Sequence, residues 1–344
     1  MNDAVMIAMS GGVDSAVAAH LASAGGRHCA GVTMQHFAGC GDRDARDAEL
    51  LCRMLGIPHR IAHLEEAFTR EVILPFIASY EAGKTPNPCV MCNKAIKFGA
   101  LLDFAKMNGY GRIATGHYAR IEHSGARSLI RRATDVSKDQ TYMLYSLTQD
   151  VLSCVEVPLG TLTKAEVREI ATALGFPMAQ RADSQDICFI PDGDYAAFIE
   201  RFTKKQTVPG KFLATDGTVL GEHKGQLHYT IGQRKGLGIA FGKPTYVCRK
   251  DPVSNTVTLG SNEDLFTRDL TAHRVNLIAV DIIPSPMRVQ AKIRYQAKPA
   301  NATVEQIAPD RIRLRFDEPQ RAISKGQSVV LYDDDVVIGG GIIE

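Results

Sequence analysis

Ser10-Gly11-Gly12-Val13-Asp14-Ser15 lies between a short apolar run, Ala4-Val5-Met6-Ile7-Ala8, and a helix-forming stretch, Ala16-Val17-Ala18-Ala19-His20-Leu21-Ala22, that stops at Gly25-Gly26. A buried strand, a Ser- and Gly-rich turn and a helix in that order make an anion cradle. The glycines let the backbone approach a ligand, the free amides of the first helical turn point at it, and the helix dipole favours negative charge there. Ser10 and Ser15 add hydroxyls at either end. A Walker loop is excluded, because Asp14 rather than Lys precedes Ser15. Such a turn fits an α/β sheet of parallel strands, in which ligands bind beyond the strand C-termini.

The chain in order supports that sheet. Cys29 to Met34 reads as a second strand, Asp44 to Leu55 as a helix closed by Gly56, and Pro58 to Ala62 as a short strand. A helix over Glu65–Tyr80 should be kinked or divided at Pro75. Strands alternating with helices predict a doubly wound parallel sheet. Cys52, among Leu50, Leu51 and Leu55, reads as a core thiol, and Cys40 has no assigned role. From about Phe202 short Gly- and Thr-rich segments take over, and from about Asp269 strands alternate to the end. With 344 residues to distribute, this gives an α/β domain over 1–201, a small central domain over 202–268 and a β-barrel over 269–344. Arg288, Gln290, Lys292 and Arg294 share one strand face, as do Arg311, Arg313 and Arg315; these faces are either solvated or turned towards RNA. Arg234 and Lys235, in the Gly-rich stretch His228–Gly238, carry the same two readings. A net charge of +2 neither requires nor excludes nucleic acid. No apolar run approaches membrane-spanning length and no signal peptide is evident, so a cytoplasmic location without membrane contact is expected. Eight cysteines in such a chain are expected to be reactive, metal-binding or buried rather than a disulfide scaffold.

The second informative stretch runs from Gly83 to Phe98 and contains Thr85-Pro86-Asn87-Pro88 and the pair Cys89, Cys92. A helix is expected over Cys92–Asn108, which puts Cys92 near a helix N-terminus with Lys94 and Lys97 close by, an environment that favours thiolate. A Cys-x-x-Cys pair has three readings: a redox pair, half of a zinc site, or part of an iron–sulfur site. Gly111 to Ala119 reads as a strand ending in a Gly116-His117 turn, and Lys138 to Tyr145 as polar and then helical. Thr163 to Glu166 is a capping box. Cys188, between Ile187 and Phe189, reads locally as a core residue.

The opening loop resembles the pyrophosphate loop of the ATP pyrophosphatases, which adenylate an oxygen and release pyrophosphate. Taken with Thr85-Pro86-Asn87-Pro88, Cys92-Asn93, Ala114 to Ala119, Lys138 to Tyr142, Ile187 to Ile190 and Tyr229 to Gly238, all in one order, the chain resembles the tRNA-specific 2-thiouridylases. The resemblance implies an adenylating α/β domain, a central domain and a tRNA-holding barrel. It implies replacement of O2 of the wobble uridine by sulfur, with ATP and Mg²⁺. Ala8, Met9, Ser10, Gly11, Gly12, Val13, Asp14, Ser15, Met34 and Gly116 match ATP contacts. Asn87, Pro88 and Cys89 match the loop that meets the target base, and His117, Lys138, Asp139, Gln140, Arg294, Tyr295 and Gln327 match tRNA contacts. It further implies that Cys188 accepts a persulfide from a relay protein or cysteine desulfurase, and that Cys92 resolves it. Many members carry Asp where this chain has Cys89. The three thiols of Cys89, Cys92 and Cys188 could instead hold a [4Fe–4S] cluster that takes free sulfide. Two rival readings are a small-molecule ATP pyrophosphatase and a non-catalytic RNA-binding protein with a zinc site of Cys89, Cys92, Cys188 and a histidine.

Overall fold

The computed structural model describes residues 3–37, 42–125, 127–181, 187–239, 242 and 244–344, so Cys40 and residues 183–186 lie outside the described residues. Strands β1 (Val5–Ala8), β2 (Cys29–Gln35), β3 (His59–His63) and β4 (Arg112–Ala114) are followed by a hairpin of β5 (Arg120–Ser124) and β6 (Arg127–Arg131), then by β7 (Val155–Glu156). The N-terminal sheet has the order β3-β2-β1-β4-β7, and every pairing in it is parallel. Alternate residues of β1 serve opposite faces. Val5 and Ile7 pack with helices α1 (Val13–Ser23) and α2 (Asp42–Leu55), while Met6 packs with Leu101, Leu102 and Ala105 of a helix on the other side. The chain steps outward from β1 to β3 and then restarts at β4 on the far side of β1. The crevice of such a sheet lies where the order reverses, between the loops that follow β1 and β4.

Two helical runs depart from their expected form. Residues 65–81 stay helical through Pro75, because a π turn, Thr69–Ile73, widens the backbone just before it and places Pro75 in the first turn of Leu74–Glu81. The helix expected from Cys92 begins instead at Pro88. Asn87 caps it, its side-chain oxygen accepting from the amides of Cys89 (3.1 Å) and Val90 (3.3 Å), and Pro88 takes the first position, where no N–H is needed. Asn87→Ala is expected to cost about 1 kcal/mol and to lower the thermal midpoint of the full chain by about 2–4 °C in a melting experiment.

In the central region β8 (Gly210–Leu213), β9 (Val219–His223), β10 (Tyr246–Asp251) and β11 (Thr256–Gly260) form a sheet around Phe212, Tyr229, Val247 and Val257. The C-terminal strands are β12 (Phe266–Leu277), β13 (Met287–Lys292), β14 (Ala300–Ala308), β15 (Arg311–Arg321), β16 (Ser328–Asp333) and β17 (Val336–Ile343). They pair in the order β12-β15-β14-β13-β16-β17, and β12 meets β17 again, so an antiparallel barrel closes on itself. The hairpin β5–β6 adds to this sheet beside β17 (Arg131 opposite Val336). Arg120 and Arg131 both pair with Asp335, and Asn276 donates to the carbonyls of Tyr145 and Leu147. Ile130, Tyr142 and Tyr145 share one buried core with Ile278, Val330, Tyr332 and Val337.

Candidate active site

The nucleotide end of the site is built by two loops at the switch point. Gly11 takes φ +70°, a left-handed conformation that suits glycine. The N-terminus of α1 begins at Gly12 with no side-chain cap, so its amides are left for an anion. Ser15 Oγ bonds to the Gly12 carbonyl (2.9 Å) and to Ser10 Oγ (3.2 Å), which closes the loop. The loop after β4 touches it directly: a Cβ on Gly116 would lie 2.8 Å from Asp14 C and 3.0 Å from Ser15 N. Met9 takes its place by bonding to the Val32 carbonyl, and Met34 lies near the C-terminal end of β2. These residues fit a polyphosphate. Asp14 is otherwise engaged: Lys164 Nζ meets its oxygens at 2.7 and 2.9 Å, and the Tyr118 hydroxyl donates to Oδ1 at 2.8 Å. Lys164, at the start of a helix capped by Thr163 and Glu166, was found by the sequence only as part of that box. Its contact with Asp14 spans 150 positions, and no local pattern signals it.

The thiol end lies on the Pro88–Cys92 helix. Cys89 is exposed and Cys92 partly so, yet enough protein lies around both to desolvate their thiols. Burial pushes the Cys92 thiol up to about 11 and that of Cys89 upward, with Lys97 pulling both the other way. The thiolate expected of Cys92 is therefore corrected: desolvation outweighs the helix start and the lysine. Alkylation of Cys92 by iodoacetamide is expected to accelerate about tenfold per pH unit and to level off only near pH 11, as mass spectrometry of the labelled peptide would record. Lys97 also bears on His36 and His117. His117 is buried with its Nδ1 2.8 Å from Thr115 Oγ1, and burial holds its pKa well below the usual value, so it is neutral.

Cys188 is exposed, not a core residue. Ile190 N bonds back to the Ile187 carbonyl at 2.9 Å, so the chain turns at Cys188 and Phe189. Phe189 enters an aromatic cluster with Phe68, Phe76 and Phe198, and Cys92 packs against that same cluster. The cluster brings the Cys188 turn and Cys92 to its rim. Among the described residues no three His, Cys, Asp or Glu side chains are grouped to hold a metal ion, so Cys89, Cys92 and Cys188 do not form a ready cluster site.

The barrel closes over the thiol loop. Gln327 Nε2 donates to the Thr85 carbonyl (2.9 Å), and Thr85 N to that of Lys325 (2.8 Å). Tyr295 packs beside Tyr142 and Lys292, and its hydroxyl is pushed up by burial, Asp139 and Cys89, which places it near the Cys89 thiol. Asp139 and Gln140 point inward: Asp139 accepts from Ala133 N and Thr141 Oγ1, and Gln140 accepts from Tyr118 N. They brace the loop that displays the half-buried Lys138. Arg294, beyond the end of β13, is exposed and donates to the Arg321 carbonyl. The arginine faces of the barrel are largely neutralised, with Arg288, Arg311, Arg313 and Arg315 paired to Asp317, Glu344, Glu305 and Asp269.

A doubly wound sheet with an uncapped Ser-Gly-Gly loop at its switch point, followed by a mixed sheet and a closed barrel, defines a three-part protein with a nucleotide-binding α/β domain. Residues 3–192 match the tRNA methyl transferase HUP domain, 196–261 the tRNA methyl transferase PRC-barrel domain, and 267–343 the aminomethyltransferase beta-barrel domain. The chain is 49% identical over 356 residues to the tRNA-specific 2-thiouridylase MnmA of Clostridioides difficile (100% of this chain, 99% of that protein). It is 48% identical to the protein of that name from Clostridium kluyveri and 46% identical to that from Acetivibrio thermocellus, over 99% of the chain and 99% of the relative in each case. The chain belongs to the tRNA-specific 2-thiouridylase MnmA family. Among the described residues no helix is long and apolar enough to cross a membrane.

Proposed function

We propose that this protein converts the wobble uridine of tRNA to 2-thiouridine in the cytoplasm, using ATP to activate O2. The observation that carries the reading is an uncapped polyphosphate cradle touched by the Gly116 loop, with Lys97 acting both on His117 of that loop and on Cys89 and Cys92, in a chain of this family. A uracil C2 carbonyl has no leaving group. Transfer of the α-phosphoryl group of ATP to O2 breaks the bond to the bridging oxygen, which departs with its electron pair as pyrophosphate. The adenylated oxygen can then leave as AMP. The amides of Gly12 to Ser15 hold the triphosphate, Met34 and Gly116 flank the nucleotide, and Mg²⁺ accompanies it as counter-ion, since Asp14 is committed to Lys164. The target base leaves its stack to reach Asn87, Pro88 and Cys89, with His117, Lys138, Arg294, Tyr295 and Gln327 along its approach. Asp139 and Gln140 support that surface from beneath.

Sulfur arrives as a persulfide on Cys188, donated by a relay protein or cysteine desulfurase. Its outer sulfur attacks C2 and AMP departs. Cys92 then attacks the inner sulfur, leaving the outer sulfur on the base and a Cys92–Cys188 disulfide, which a thiol reductant reopens. The exposed turn at Cys188 suits hand-over from another protein, and Lys97 offsets charge as Cys92 loses its proton. A [4Fe–4S] reading would require Cys188 to move onto Cys89 and Cys92, a grouping absent among the described residues. Anaerobic purification tests it: the persulfide route requires colourless, iron-free protein that thiolates tRNA from a persulfide donor. Nucleoside analysis of tRNA after gene deletion tests the function itself. Wobble 2-thiouridine should disappear, and unchanged levels would overturn the assignment.

A further inference from the structure

The thiolation chemistry above leaves Arg181 unused, yet the fold aims it at the nucleotide loop. Its backbone is fixed: Arg181 N bonds to the Met178 carbonyl (2.9 Å), and Met178 and Ala179 are buried in the core shared by α1 and α2. The guanidinium is thereby delivered to one place. Nη1 lies 3.3 Å from the Gly11 carbonyl and Nη2 2.9 Å from Asp47 Oδ2. Asp47 is itself pressed against the loop, since a Cβ on Gly11 would stand 3.1 Å from Asp47 Cβ. A guanidinium carries five N–H donors in a rigid fork, and these two contacts leave the others available. The side chain keeps 32% of its surface exposed where it meets the loop. Lys164 also reaches the loop, but it is buried against both oxygens of Asp14 and points its charge inward.

We propose that Arg181 grips the pyrophosphate portion of ATP across the loop from the α1 amides, with Asp47 as the residue that positions it. The inference rests on the adenylation reading and specifies which side chain holds the leaving group. When the α-phosphoryl group passes to uridine O2, the bridging oxygen takes the electron pair and negative charge gathers on pyrophosphate. A fork already placed there stabilises that charge without rearrangement.

Binding of Mg·pyrophosphate, Mg·ATP and AMP to the full-length protein, measured by calorimetry, tests this without tRNA. Arg181→Met is expected to weaken pyrophosphate and ATP by about 10- to 100-fold, the loss of a charge-assisted pair, and to leave AMP within about twofold. Arg181→Lys, which keeps the charge without the fork, should fall between wild type and Arg181→Met, and covers the case in which the Met variant misfolds. Asp47→Asn should weaken pyrophosphate less than Arg181→Met. Wild-type pyrophosphate affinity in both Arg181 variants overturns the proposal. So does an equal loss of AMP, which would mean that Arg181 merely props up the loop. A wild-type protein that binds pyrophosphate through Arg181 but transfers no AMP to tRNA would sink the functional reading and leave this role standing.

Discussion

Cys188→Ser and Cys92→Ser are each expected to abolish 2-thiouridine formation, a fall of at least about 1000-fold, while tRNA-dependent pyrophosphate release stays within a few-fold of wild type. Serine cannot carry a persulfide at position 188, nor can it take up the inner sulfur from position 92. The turn at Cys188 is held by Phe189 in the aromatic cluster, and Ser is close to isosteric there, so the fold should be kept. Mass spectrometry of nucleosides from a reaction with a persulfide donor reads the first quantity, and a coupled phosphate assay the second. Thiolation that persists in Cys188→Ser would refute the proposed route. Simultaneous loss of pyrophosphate release would show that the cysteines serve adenylation as well.

Gly116→Ala is expected to lower kcat/KM for ATP by about 100-fold in the pyrophosphate-release assay, the scale at which a misplacement of about 1 Å costs catalysis. The added methyl would lie 2.8 Å from Asp14 C and 3.0 Å from both Asp14 O and Ser15 N. All three are backbone atoms of the loop, and Asp14 is further tethered by Lys164 and Tyr118, so the loop cannot yield without losing its shape. Activity within threefold of wild type would show that the two loops are less tightly engaged in solution than their geometry requires.

Local chemistry was legible in the chain and contacts across it were not. The Ser10–Ser15 loop and the Thr163–Glu166 box depend on residues a few positions apart, and both occur as read. Cys188 was misread because its neighbours are apolar. Their burial is what turns the thiol outward, and it depends on Phe68 and Phe76, far back in the sequence, together with Phe198. The acidity of Cys92 was misjudged for a related reason: the helix start and the lysines are visible in sequence, while the protein packed around the cleft is not. The contact of Arg181 with Gly11 spans 170 positions and has no sequence signature. The closed barrel follows from strand alternation, but its extension by a hairpin from the first domain does not.

That hairpin leaves the nucleotide sheet only a few residues after Gly116 and His117 and ends against β17. The barrel is therefore tied to the first domain by main-chain pairing and by the Asp335 ion pairs. Under the proposed function, a tRNA held against the barrel meets a surface joined to the ATP loop by a few residues of continuous chain. On that reading, an anticodon base has to swing out of its stack across this span before sulfur can reach it.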